Sequence, residues 1–237
     1  MFNDKIEAKD FPKMEKEYQD LLKRVLIIQA DCEIGGPHIY VNHWVLNAPT
    51  PEDQIVVAQT AAEEIDHARK MIKVLRELGV DAFYVLHRPK SEREVEAFKT
   101  DMPTWAGYAV FGMLIDRIGR YQLEEFEGCT YLPLERELPK IMEEEQGHIT
   151  FGEYKCAELC ATPEGKQQVQ EAVNLWYPKG LDMFGRSDSW RSHRYLEWGL
   201  KRRTNEEARK QYIAEVRPVL TNLGLEIPDE LANRKYL

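Results

Sequence analysis

Two Glu-x-x-His quartets, Glu64-Ile-Asp-His67 and Glu145-Gln-Gly-His148, each place a carboxylate and an imidazole three residues apart. On a helix, positions i and i+3 lie about 60° apart around the axis, so both side chains of such a pair reach one point in space. Metal coordination uses that geometry, taking an oxygen and a nitrogen donor from each quartet. Six histidines and 41 acidic residues among 237 would give about one such pair by chance, so the weight falls on where the two pairs sit. Each interrupts an apolar stripe: Val57, Thr60, Glu64, His67, Met71, Val74 and Leu78 in the first case, and Leu134, Leu138, Ile141, Glu145, His148, Gly152 and Cys156 in the second. Two more stripes carry one inward acid apiece. Glu33 lies among Leu22, Leu26, Gln29, Gly36 and Tyr40, and Asp116 among Trp105, Ala109, Gly112, Gly119 and Leu123. A carboxylate facing a core costs several kcal/mol, or titrates, unless it is paired, and a cation is one such partner.

The spacings agree with a shared centre. Glu33 precedes Glu64 by 31 residues and Asp116 precedes Glu145 by 29, so two antiparallel helical hairpins would bring each pair to one level. One carboxylate from each of two helices, with Glu-x-x-His from each of the other two, is the di-iron carboxylate pattern of ferritin-like bundles. The expected metal ligands are therefore Glu33, Glu64, His67, Asp116, Glu145 and His148. Four carboxylates neutralise two divalent ions, and neutral imidazoles suit iron; manganese fits the same donors. Glu124 and Glu125 lie too far along to replace Asp116. Asp66 and Gln146 are placed to orient a ligand imidazole. Cys156 and Cys160 read as packing, and Cys32 as a neighbour of Glu33. His38, His43, His87 and His193 lack an acid three residues earlier and stay unassigned.

The elements that must position these residues are helices. The first is expected from about Met14 to Val45, kinked or interrupted at Gly35-Gly36-Pro37, which would open a substrate channel beside Glu33 or simply end the helix. Thr50, Pro51 and Asp53 announce the second, which Gly79 stops after about Leu78. Residues 79–102 read as a long crossover. A third helix follows Pro103 to Gly128, and a fourth runs from near Pro133, kinked at Pro139, to near Cys160. Thr162-Pro163 opens another helix, Thr204 and Glu207 form a capping box, and residues 164–223 hold three more helices. Short turns within each hairpin and about 24 residues between them require parallel second and third helices. The expected fold is thus all-α: a ferritin-like four-helix bundle (about 14–160) with a C-terminal helical extension (about 161–237), in one domain over 1–237.

Composition narrows the function classes. With 43% hydrophobic residues, the chain buries a core without disulfide staples. A net charge of −9 and a pI near 5.3 exclude broad binding to nucleic acid or anionic lipid, which depends on a basic surface. The four cysteines form no CxxC pair, which removes a rubredoxin-type site and counts against peroxide scavenging. The amino terminus lacks the basic and apolar regions of a signal peptide, and no run approaches the roughly 20 apolar residues of a membrane span. The expectation is a soluble cytoplasmic protein.

The segments Gly180-Leu-Asp-Met-Phe-Gly-Arg-Ser-Asp188, Trp198-Gly-Leu-Lys-Arg202, Thr204-Asn-Glu-Glu207 and Leu223-Gly-Leu-Glu-Ile-Pro-Asp229 resemble the carboxy-terminal region of the catalytic subunits of bacterial ring-1,2-phenylacetyl-CoA epoxidase. The six ligands match that family's pattern too, including Asp rather than Glu at the third position, and the resemblance runs from about Tyr18 to Asp229. It implies a monooxygenase in which a reduced di-iron centre splits dioxygen, one atom entering the ring of an aromatic acyl-CoA as an epoxide and the other leaving as water. It also implies an external reductase and a homo-oligomer or a non-catalytic sister subunit of the same fold. Intact ligands place this chain with the catalytic type. The dense basic stretch Arg186, Arg191, Arg194, Lys201, Arg202 and Arg203 is the candidate contact for the CoA, or else a solvated face or subunit contact. The competing readings are another di-iron oxygenase or hydroxylase, an iron-binding or peroxide-scavenging protein, and an inactive structural subunit.

Overall fold

Capping side chains set the starts of four helices. Thr50 accepts the Asp53 backbone N–H at 3.1 Å, Thr104 that of Gly107 at 3.0 Å and Thr162 that of Gly165 at 3.1 Å, while Thr204 and Glu207 form a complete capping box. Each cap is worth about 1 kcal/mol. In this computed structural model, which describes residues 2–236, the helices are α1 (Lys16–Asn47), α2 (Pro51–Glu77), α3 (Trp105–Val110), α4 (Arg117–Glu124), α5 (Leu132–Glu135), α6 (Leu138–Cys160), α7 (Pro163–Met183), α8 (Trp190–Glu197) and α9 (Asn205–Asn222). A π-helical turn, Phe111–Asp116, joins α3 to α4. The fold is all-α and of the ferritin-like helical class, with the long crossover between α2 and α3 and further helices after α6. Among the described residues there is no strand, only an isolated bridge between Ile6 and Tyr131. No described helix is long and apolar enough to cross a membrane.

Three helix boundaries differ from expectation. First, α1 is unbroken through Gly35-Gly36-Pro37, with every residue from 29 to 37 buried. Pro37 cannot donate to the Glu33 carbonyl, a loss of about 3 kcal/mol in a helix interior, but burial of the surrounding turns offsets it. The helix does not end there. Second, the expected third helix is three pieces, α3, the π turn and α4, and it stops at Glu124; Gly128, at φ 70°, closes the turns that follow. Third, the fourth helix breaks after Glu135, so Pro139 lies in the first turn of α6, where a missing N–H costs nothing, and does not kink it.

The chain forms two compact units. The first comprises Met1–Asp101, Glu125–Ile141 and Trp190–Arg202; the second comprises Met102–Glu124, Met142–Ser189 and Arg203–Leu237. In the first, Thr130 is a junction. Its carbonyl accepts the Ile6 N–H at 2.7 Å, its N–H reaches the Gly199 carbonyl at 2.8 Å, and its hydroxyl meets Tyr18 at 3.1 Å and donates to the Trp198 carbonyl at 3.0 Å. In the second, fully buried Trp176 on α7 packs edge-on against Phe111, with ring centroids 5.1 Å apart. Asp182 accepts the backbone N–H groups of Lys235 at 2.6 Å and Tyr236 at 2.8 Å, which ties the carboxy-terminal segment to α7.

Candidate metal centre

In the first unit, α1 and α2 bring three of the sequence-identified residues together. Glu33, Glu64 and His67 each present a ligand atom within 4.8 Å of the others, and all three are buried. His67 Nδ1 lies 3.6 Å from Glu33 Oε2. Every member of the α2 stripe, from Val57 to Leu78, is buried as its 3.6-residue period requires. One turn before Glu33, Gln29 donates from Nε2 to Glu33 Oε1. Gln29 stood on the predicted stripe, and its i, i+4 spacing from Glu33 was the available signal. Cys32 is a packing neighbour as expected, for burial pushes its thiol well above the ordinary range and keeps it protonated.

The crossover covers this part of α1. Asp31 is wholly buried and accepts from Arg93 Nη1 at 2.9 Å and from the Glu94 backbone N–H at 2.8 Å, with Arg88 Nη1 at 3.2 Å. Arg93, itself 2% exposed, also reaches His38 Nδ1 at 2.9 Å. Burial and then the Arg93 charge hold the His38 imidazole below its ordinary range. Phe98 lies against Gly35, where an added Cβ would fall 2.7 Å from the ring. Sequence reading did not identify this network, because Asp31 and Arg93 are 62 residues apart and neither belongs to a motif.

The second unit collects the other three. Asp116 and His148 present ligand atoms within 4.8 Å, and His148 Nδ1 is 4.0 Å from Glu145 Oε2. Glu145 and His148 are buried, and Asp116 is half-buried. A close helix crossing sets their positions. A Cβ on Gly152 of α6 would lie 2.3 Å from the Met113 nitrogen and 2.7 Å from the Gly112 carbonyl carbon, so the two backbones touch. Gly119 leaves room beside the Glu145 carboxylate, whose Oε2 lies 3.4 Å from the Cβ position. The π turn ends at Asp116, and π turns inserted in α-helices recur at functional sites.

Polar groups brace that turn. Tyr212 of α9 donates to the Leu114 carbonyl at 3.2 Å, inside the π turn. Beyond Asp116, Arg117 pairs with Glu153, Arg120 holds Glu215 at 2.9 Å, and Tyr121 donates to Glu215 at 2.6 Å. Two expectations fail here. Asp66 is held by Arg69 and Lys70, while Gln146 accepts from Arg120 and donates to Thr150; neither orients an imidazole. The basic stretch is likewise internally matched. Arg186 pairs with Asp188, Arg194 with Glu17, Arg202 with Glu127 and Arg203 with Glu124, and Lys201 lies over the Phe126 and Tyr195 rings. Four of these arginines thus each carry a carboxylate partner within the chain, while exposed Arg191 lies over the Trp190 ring.

The first unit therefore buries two carboxylates beside an imidazole, a donor set able to hold a metal ion, and the second sets Asp116 and Glu145 each beside His148. The model of the phenylacetic acid catabolic protein family matches residues 3–236. The chain is 30% identical to one of the subunits of 1,2-phenylacetyl-CoA epoxidase from Escherichia coli K12, over 94% of this chain and 73% of that protein. It is 26% identical to component B of benzoyl-CoA oxygenase from Aromatoleum evansii, over 81% of this chain and 46% of that protein. With the family model spanning nearly every residue, the chain belongs to the phenylacetic acid catabolic protein family.

Proposed function

We propose that this chain is the catalytic component of a di-iron monooxygenase that places one oxygen atom of dioxygen on the ring of an aromatic acyl-CoA. Its relatives are oxygenase components, and the chain is an oxygenase of that class. One observation carries the finer reading: all six ligand-type residues are present, as Glu33, Glu64 and His67 in one unit and Asp116, Glu145 and His148 in the other. An inactive structural subunit would have no use for the complete set.

Bound iron would supply the reduction of dioxygen that delivers one atom to the ring and the other to water. The protein's own contribution is placement. Glu33, Glu64, Asp116 and Glu145 offset the charge of two divalent ions, and His67 and His148 add neutral donors; manganese suits the same set. Gln29 fixes one oxygen of Glu33, leaving Oε2 facing His67. The crossover, through Phe98 and the Arg93–Asp31 pair, covers α1 beside Glu33 and keeps water from it. Electrons come from a separate reductase, and a sister subunit of the same fold is the expected partner.

Iron per chain, followed by reductase- and NADPH-dependent oxygen uptake, tests this reading. Two irons per chain, with uptake on phenylacetyl-CoA or benzoyl-CoA but not on free phenylacetate, is the expected result. Iron without thioester-dependent uptake would favour storage or peroxide scavenging instead, and full activity in Glu64→Ala would assign catalysis to another subunit.

A further inference from the structure

His38 stands where α1 meets the crossover, and the bond it makes there forms in only one protonation state. Its Nδ1 lies 2.9 Å from Arg93 Nη2. A guanidinium has donors and no acceptor, so this ring nitrogen must offer its lone pair. The imidazole is therefore neutral, with its proton on Nε2. A second proton would set N–H against N–H and a positive charge beside Arg93. His38 is exposed as a residue, so that proton can reach it without the chain opening.

The surroundings favour the neutral ring. Partial burial comes first and the Arg93 charge second, and His87 of the crossover adds to both. The Leu86 carbonyl and Asp31 act in the other direction, but Asp31 already serves Arg93, Arg88 and the Glu94 N–H. Of the three groups that accept from Arg93, the Val85 carbonyl belongs to the crossover itself, so only Asp31 and His38 fasten Arg93 to α1. Histidine is the side chain whose ordinary charge change falls between about pH 5 and 8. We propose that His38 and Arg93 form a proton-sensitive latch: neutral His38 fastens the crossover over the Glu33 turn of α1, and protonated His38 loosens it.

The closed latch holds the ring below the ordinary histidine value of about 6.5, so opening takes up a proton. The latch is at full strength above that value and weakens as pH falls below it, until the closed form is protonated as well.

Hydrogen exchange of the crossover amides, residues 83–99, tests this in the full metal-loaded chain at about pH 8 and about pH 5.5, with the intrinsic pH dependence of exchange divided out. Acid should raise crossover opening about three- to tenfold, the worth of one hydrogen bond, and leave α9 unchanged. In His38→Asn an amide oxygen accepts from Arg93 but takes no proton, so opening should be equally low at both pH values. His38→Ala should open the crossover by a similar factor at both, and His87→Gln should keep the acid response. A wild type indifferent to acid, a response that persists in His38→Asn, or one that vanishes in His87→Gln would overturn the proposal. So would an acid effect spread equally over α9. Nuclear magnetic resonance of the wild type gives a check that needs no variant: His38 should titrate below about 6.5 and carry its neutral proton on Nε2. A midpoint at or above that value, or a proton on Nδ1, would sink the latch.

Discussion

The two sets of candidate ligands are held by opposite means. In the first unit, Glu33, Glu64 and His67 project from two long, unbroken helices, and what fixes them is a coat: Gln29 on Glu33, Phe98 over Gly35, and the buried Asp31–Arg93 pair that pins the crossover to α1. In the second unit, the backbone itself is adapted. Gly112 and Gly152 let two chain segments touch, the helix widens into a π turn that ends at Asp116, and α9 braces that turn from outside. A covered regular helix is sensitive to the loss of a distant side chain. A reshaped helix is sensitive to a single added methyl group.

The largest expected effect attacks the coat. Arg93→Ala leaves Asp31 buried with only Arg88 at 3.2 Å and the Glu94 N–H to compensate its charge. Breaking such a pair by removing one partner costs about 3–5 kcal/mol, readable by urea unfolding. Limited proteolysis should then cut within residues 83–99, and a variant that stays resistant would show that the crossover is held elsewhere. Next comes a paired test of the two mechanisms. Gly152→Ala drives a methyl group into backbone at 2.3 Å, which cannot move without separating the helices; a loss of about 3 kcal/mol and reduced iron binding are expected. Gly35→Ala meets the Phe98 ring at 2.7 Å, a side chain that can swing away, so about 1 kcal/mol is expected. Melting temperatures and iron content in the reverse order would break the comparison.

The same contrast explains what could be read from the sequence. Caps at Thr50, Thr162 and Thr204 were legible because their chemistry is local to four residues. The stripes through Glu33, Glu64 and Glu145 were legible because long regular helices keep their period, and all their members are buried. Pro37 misled because intrinsic propensity yields to tertiary burial. The π turn could not be seen, since it inserts about one residue per turn and Asp116 still falls on the apolar side of a nominal α-helix. The Arg194–Glu17 and Arg202–Glu127 pairs span 177 and 75 residues, so the sequence showed the positive charges but not the distant carboxylates that pair with them.

Two smaller effects separate the braces of the two units by their response to pH. Tyr212→Phe removes the hydrogen bond to the Leu114 carbonyl at 3.2 Å and should cost about 1 kcal/mol, with the loss falling on the π turn and so on the metal affinity of Asp116. That loss should be the same from neutral pH into acid, because a phenol stays protonated throughout. In the first unit, Glu17 of α1 instead ties down the segment around α8 by accepting from Arg194 and from the Trp198 indole N–H at 3.0 Å. The Arg194 hydrogen bond, and after it that of Trp198, pulls the Glu17 carboxyl down to about 2. The folded value lies below the unfolded one of about 4.3, so the pairing contributes its full stability above that value and loses it as pH falls through about 2. Glu17→Gln should therefore be less stable than wild type at neutral pH by a small margin, since the pair faces solvent. The difference in urea midpoints should close steadily in acid, and a margin that persists at low pH would mean that Glu17 acts through packing rather than charge.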